Sequence, residues 1–163
     1  RETPHATASS SSSRSYRLVS HRWELVRDAS FPSLTQFARE PLDAAKIVLD
    51  RIGSEAREHF VVLPLTTRNQ ILAVDTIATG SVNACLVTPA DVYRRVLVHA
   101  DAAACIVGHN HPSGIVAPSV EDHALTKRLK AAGRVLGIQM LDHVVVSAVN
   151  GAAWWSFQDH GEL

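Results

Sequence analysis

The stretch GHNHPSG, residues 108–114, holds two histidines one residue apart, His109 and His111, followed at once by Pro112, Ser113 and Gly114. Such a pair can bind a metal ion, can belong to an HNH-type nuclease, or can be two ordinary polar residues in a turn. The residues before it help to choose. AAACIVG at 102–108 is a continuous apolar run and reads as a central strand buried on both faces. Residues two apart in a strand project to the same face. His109 and His111 therefore stand side by side where that strand ends, and Pro112 prevents its continuation. Asp122 follows eleven residues after His111, in the first turn of an expected helix. A strand end and a helix start joined by a loop can face one another across a cleft. Two histidines and an aspartate with an open fourth position form the ligand set of a catalytic zinc site. The HNH reading is weak, because that label names residues scattered over a longer ββα-metal motif.

A metal site of this kind still needs a proton acceptor for the water it activates. Glu58, just ahead of the apolar run FVVLPL, is preferred over Glu55, since a strand start can adjoin a neighbouring strand's end. Ser119 and Asp122 carry a second meaning. Ser-x-x-Asp is itself a helix capping box, and Asp122 cannot give the same lone pairs to a cap and to a metal. Asp142-His143 reads as support behind the metal or as a cap at a strand start, rather than as a further ligand. His99 and His123 fall on expected helices and read as solvated. Trp154, Trp155 and Phe157 read as closing the core. Lys127, Lys130 and Arg134 share one helix face, which reads as solvated and suits the helix C-terminal dipole. Cys105 shares strand parity with His109 but lies four residues back, too far to be a ligand.

The elements that must position these groups follow from pattern. Residues 1–15 are a Ser-rich tail without the apolar surface to fold, and 16–40 form an N-terminal extension in which VSHRWELV suggests an edge strand. Residues 41–163 form one domain. Pro41 opens a helix with Leu42, Ala45, Val48, Leu49 and Ile52 at helical spacing, and Gly53 stops it. FVVLPL (60–65) and QILAVDTIA (70–78) flank the hairpin turn TTRN, and a further strand is expected around Ala84–Val87. Thr88-Pro89-Ala90-Asp91 caps a helix running to about Ala100, with Val92, Val96, Leu97 and Ala100 on its apolar face. Ser119 caps another, with Leu125, Leu129 and Ala132 inward, and MLDHVVVSA returns to the sheet. The expectation is an α/β fold, a mixed β-sheet flanked by helices.

Composition narrows the class. The chain has 163 residues, with 16 Lys+Arg against 16 Asp+Glu, so its net charge is zero with neutral histidine. A protein built mainly to grip phosphate backbones normally carries a basic excess. No apolar run approaches a membrane span, and no secretory leader is recognised. The chain starts at Arg1 rather than Met, which leaves room for an upstream segment. Cys85 and Cys105 lie in apolar stretches and read as reduced core residues, favouring the cytoplasm.

Taken together, Glu58, His109-Asn110-His111-Pro112, Ser119 and Asp122 resemble the JAMM motif of MPN/JAB-domain metalloproteases. That motif is Glu, a variable gap, His-x-His-Pro, six residues, Ser, two residues, Asp; residues 113–118 are the six, and Val120-Glu121 the two. HNHPSG, Pro118-Ser119, Glu121-Asp122, the region of Thr126, LGI at 136–138 and LDH at 141–143 are similar to the RadC-type branch, which carries a DNA-repair name. The likeness covers about residues 40–157. Asn110 stands where eukaryotic JAMM proteases usually have Ser or Thr, and PADVYR at 89–94 replaces the more typical PREVF. The resemblance implies the JAB/MPN (cytidine-deaminase-like) architecture. It implies a zinc-dependent peptidase or isopeptidase acting on a peptide or an isopeptide-linked protein. In it His109, His111 and Asp122 hold Zn2+, Glu58 serves as general base then acid, and Ser119 stabilises the oxyanion. The competing expectation is a DNA-repair or recombination accessory with a non-catalytic metal, which the zero net charge weakens. A deaminase-type zinc hydrolase would carry Pro-Cys-x-x-Cys, which is absent.

Overall fold

The computed structural model of the chain describes residues 37–80 and 87–163. Helix α1 (Pro41–Ile52) is followed by strands β1 (Glu58–Leu65) and β2 (Asp75–Gly80), helix α2 (Pro89–Leu97), strand β3 (Ala104–Asn110), helix α3 (Val120–Leu136), and strands β4 (Gln139–Ser147) and β5 (Ala153–Ser156). The five strands form one sheet in the order β2-β1-β3-β4-β5. Among the described strands only β3 and β4 run parallel, and α3 is the crossover between them. The expected mixed sheet flanked by helices is therefore the fold observed.

Each helix starts where its sequence provides for the unpaired N-terminal N–H groups. Thr88 and Ser119 each accept a bond from the backbone three residues on, while Asp91 and Asp122 return one to the cap residue. Pro41 and Pro89 occupy the first helical positions, where a missing N–H costs nothing. Helix α3 ends on Gly137 at φ 72°, a left-handed cap whose N–H bonds to Gly133 O. Gly53 ends α1 in a different way: its φ is −62°, an ordinary helical value. In the hairpin, Asn69 takes φ 59° and the Thr66 hydroxyl accepts from the N–H groups of Arg68 and Gln70.

Alternation along β1 and β3 sorts the core into two faces. Phe60, Val62, Cys105 and Val107 pack with Val92, Tyr93 and Val96 of α2 and Leu125 and Leu129 of α3. Val61, Leu63, Leu65 and Ile106 pack with Ala44, Val48 and Ile52 of α1. All seven residues of β3 are buried, as a strand covered on both sides requires. Gly108 allows α1 to sit close behind it: a Cβ there would lie 2.8 and 2.9 Å from the two Val48 methyls.

Several elements differ from their sequence expectation. The apolar residues 70–78 do not form one strand; Gln70 and Ile71 make isolated bridges and β2 begins at Asp75. Ile77 bulges out of β2, because the pairing passes from Phe60↔Ala78 to Val61↔Thr76. Helix α2 stops at Leu97, short of Ala100. His99 just beyond it is not solvated: its Nε2 lies 3.0 Å from Asp75 Oδ2 and its side chain is almost wholly covered. Strand β5 falls on the tryptophans that were expected only to close the core; Trp154 does pack on the α1 side, and Phe157 is fully buried. The tail, the suggested edge strand at 19–26 and most of the strand expected around 84–87 lie outside the described residues, as does Cys85. Cys105 is buried with a free thiol. No described helix is long and apolar enough to cross a membrane.

The Gly108 contact yields a test. Gly108→Ala should destabilise the chain by about 1–3 kcal/mol through overpacking, measured by urea unfolding. Adding Val48→Ala should return part of that loss; a Gly108→Ala chain as stable as the parent would show that α1 can move aside freely.

Candidate metal centre

His109 and Asn110 are the last two residues of β3, and His111 is the first beyond it. The strand thus runs further than expected, and the histidines straddle its end. Alternation turns His109 and His111 to the α3 side and Asn110 to the other. Glu58 is the first residue of β1 rather than the residue before it. Phe60 pairs with His109 in the antiparallel β1–β3 ladder. The same alternation therefore places Glu58 on the face of Phe60 and His109, at the level of His111.

His109, His111 and Asp122 each present one donor atom within 4.8 Å of the others. The Nε2 atoms of His109 and His111 are 3.0 Å apart. His109 Nε2 lies 3.3 Å from Asp122 Oδ1, and His111 Nε2 lies 3.7 Å from Oδ2. Glu58 is not part of this cluster.

Hydrogen bonds behind the cluster determine which nitrogens carry protons. The Thr126 hydroxyl is 2.7 Å from the Asp122 carbonyl, which can only accept, so its single proton goes there. Thr126 Oγ1 must then accept from His143 Nδ1, 2.7 Å away. Burial pushes the His143 pKa far down, so the ring is neutral and its Nε2 is bare. That atom accepts from His109 Nδ1 at 2.9 Å. As a neutral ring, His109 then turns the Nε2 lone pair toward the cluster. His111 reaches the same state by another route, since its Nδ1 donates to Ile115 O at 2.6 Å. Phe60 stacks on the His109 ring and Phe157 on His143, fixing both planes.

Asp122 resolves the conflict between cap and ligand by dividing its two oxygens. Oδ2 accepts from Ser119 N and from the Ser119 hydroxyl, both at 2.7 Å, while Oδ1 faces His109. Burial pushes its carboxyl up, while the two hydrogen bonds that Oδ2 accepts from Ser119 pull it down. Asp122 is therefore an anion. Two imidazole lone pairs and a carboxylate oxygen converge at distances where acceptors repel one another. A single proton relieves one such contact, whereas a divalent cation relieves all of them; the donor set fits a metal ion.

Sequence reasoning missed Thr126 as part of this site. It lies one helical turn after Asp122, on the same face, and a buried threonine there was the available signal. His143, expected as support or cap, stands behind His109. Asp142 secures the backbone of His143, accepting from His143 N at 2.7 Å, Gln158 N at 3.0 Å and the Ser156 hydroxyl at 2.6 Å. His123 is only half exposed: it donates to Ser119 O and pairs with Glu162, and these bonds raise its pKa. Lys127 and Arg134 are exposed, as a solvated face requires.

Because His143 orients a metal-facing imidazole, His143→Ala should weaken binding of added Zn2+ by about 10–100-fold. Competition with a chromophoric chelator measures this, and unchanged affinity would mean that His109 holds its orientation unaided.

Comparison with known proteins places this arrangement. Residues 38–162 match the family of RadC-like JAB domains. A UPF0758 protein of Rubrobacter xylanophilus is 37% identical over 145 residues, covering 89% of this chain and 60% of its own length. One from Desulforamulus reducens is 42% identical over 121 residues, covering 74% and 53%, and one from Shouchella clausii is 44% identical over 106 residues, covering 65% and 46%. The chain thus spans about half to three-fifths of the length of the curated relatives it matches. The His-His-Asp cluster at the end of β3 is the candidate metal site of a chain that belongs to the RadC-like JAB domain family.

Proposed function

We propose that this chain is a zinc-dependent hydrolase of the JAMM type that cuts a peptide or isopeptide bond in a protein substrate. The observation that carries the reading is the gathering of donor atoms of His109, His111 and Asp122 within 4.8 Å of one another, beside a strand that begins with Glu58. His109, His111 and Asp122 would hold the ion. Zinc in such a set acts as a Lewis acid and lowers the pKa of a coordinated water to about 7. Glu58 would take the proton from the attacking water and deliver it to the departing amine, as general base and then general acid. The Ser119 hydroxyl donates to Asp122 Oδ2. Stabilising a developing oxyanion therefore requires that hydroxyl to leave the carboxylate, a rotation about one side-chain bond.

The RadC family name favours a second reading, a DNA-repair accessory with a non-catalytic metal. The balanced charge of the chain does not support it.

Purified chain should contain one zinc, and His109→Ala should lose it; equal metal in both removes the site. A panel of fluorogenic peptides and ubiquitin-like isopeptide conjugates, assayed with and without chelator, should reveal chelator-sensitive cleavage. Glu58→Gln should keep the zinc and lose about 100-fold or more in rate. Wild-type cleavage by Glu58→Gln would refute the proton-transfer role. A DNA-binding titration across salt concentrations discriminates the second reading.

A further inference from the structure

We propose that Asn110 is the positioning residue for Glu58. It is fully buried, and its side chain spends its bonds on the backbone around Glu58 rather than on the metal cluster. Oδ1 accepts from His59 N at 2.7 Å, and Nδ2 donates to Glu55 O at 3.1 Å and Arg57 O at 3.0 Å. These partners also fix the amide's orientation, since one is a donor and two are acceptors.

The β1–β3 ladder ends at the Phe60↔His109 pair. One residue further out, His59 lies opposite Asn110, and the Asn110 side chain supplies the bond that the next rung of backbone would have made. On its other side the same segment pairs with β2 through Glu58↔Gly80 and His59↔Thr79. The backbone bearing Glu58 is therefore held from both flanks. The hold on the β3 side comes from the residue between the two metal-facing histidines. His109 and His111 aim at the metal on one face of the strand, while Asn110 sets the distance to the glutamate from the other. Side-chain length is decisive: serine cannot reach three backbone partners spread over residues 55–59, and aspartate would set a carboxylate oxygen against two carbonyls.

The role of Glu58 rests on the hydrolase reading above; the hold on residues 55–59 does not, and the test separates them. Amide hydrogen exchange is measured by NMR on the full zinc-loaded chain. Asn110→Ser should speed exchange at His59 by about tenfold or more, with zinc content and exchange within β4 unchanged. Asn110→Asp, which keeps the acceptor for His59 N but sets a carboxylate oxygen against the Glu55 and Arg57 carbonyls, should also speed exchange at that amide. Unchanged exchange at His59 in Asn110→Ser, or an equal rise across β3 and β4 in both variants, overturns the proposal. On a peptide cleaved by the wild type, Asn110→Ser should lower kcat by about tenfold or more with little change in KM. The double variant Asn110→Ser/Glu58→Gln should be no slower than Glu58→Gln; additive losses overturn the coupling to Glu58. If the wild type cleaves nothing, the hydrolase reading falls, and the exchange measurement alone decides whether Asn110 holds the segment.

Discussion

Strand alternation at the end of β3 is the constraint on which the rest of the site depends. Three consecutive residues must serve two faces: His109 and His111 meet α3, and Asn110 meets the backbone of residues 55–59. A slip of one residue in the β1–β3 register would exchange those faces and bury the imidazoles against α1. Burial makes that register firm, because Phe60, Val62, Cys105 and Val107 belong to one core and Val61, Leu63 and Ile106 to the other. The packing that stabilises the sheet is thus also what aims the chemistry. The same logic extends to β4, whose parallel pairing sets His143 opposite Val107, close enough to reach back to His109.

Asp122 joins the sheet to helix α3 through one carboxylate. The helix N-terminus favours a negative charge and offers unpaired N–H groups. A capping interaction is worth about 1 kcal/mol, modest beside the binding of a metal ion, so its main contribution here is orientation. With Oδ2 held by two bonds from Ser119, Oδ1 has little freedom to turn from His109. Thr126, one turn on, couples the same helix to the proton arrangement of the imidazoles. Helix α3 therefore supplies one residue of the His-His-Asp cluster, its orientation and the tautomer of another within its first two turns.

Much of this was legible in the residues. The offsets from His109 to Asp122 specify a strand end and a capped helix start, both local features with strong signals. β3 was readable because all of its residues are apolar up to the histidines. The ladder between β1 and β3 was less so: an expectation that a strand start adjoins a strand end carries no register, and the Phe60↔His109 pair comes from packing. β5 was missed because a short strand that contains two tryptophans has the same composition as a core plug. The expected strand at 70–78 broke because Ile77 bulges and residues 72–74 leave the ladder, neither of which apolar content reveals. His99 looked solvated because its partner, Asp75, lies 24 residues away on another element. Thr126 escaped for the same reason, since its partner His143 lies on another element.

The hairpin and helix between β1 and β3 carry none of the converging groups, which bears on how such a chain can change length. Residues inserted in the Thr66–Asn69 turn would lengthen the spacing from Glu58 to His109 without moving either one. A single residue inserted between Glu58 and Phe60 would have a different effect. It would carry Glu58 past the reach of the Asn110 amide or rotate it to the opposite side of the sheet. Drift in length is thus tolerated in the hairpin turn and forbidden in the first residues of the interval. A variable gap in a sequence motif here has a physical boundary, set by one buried amide.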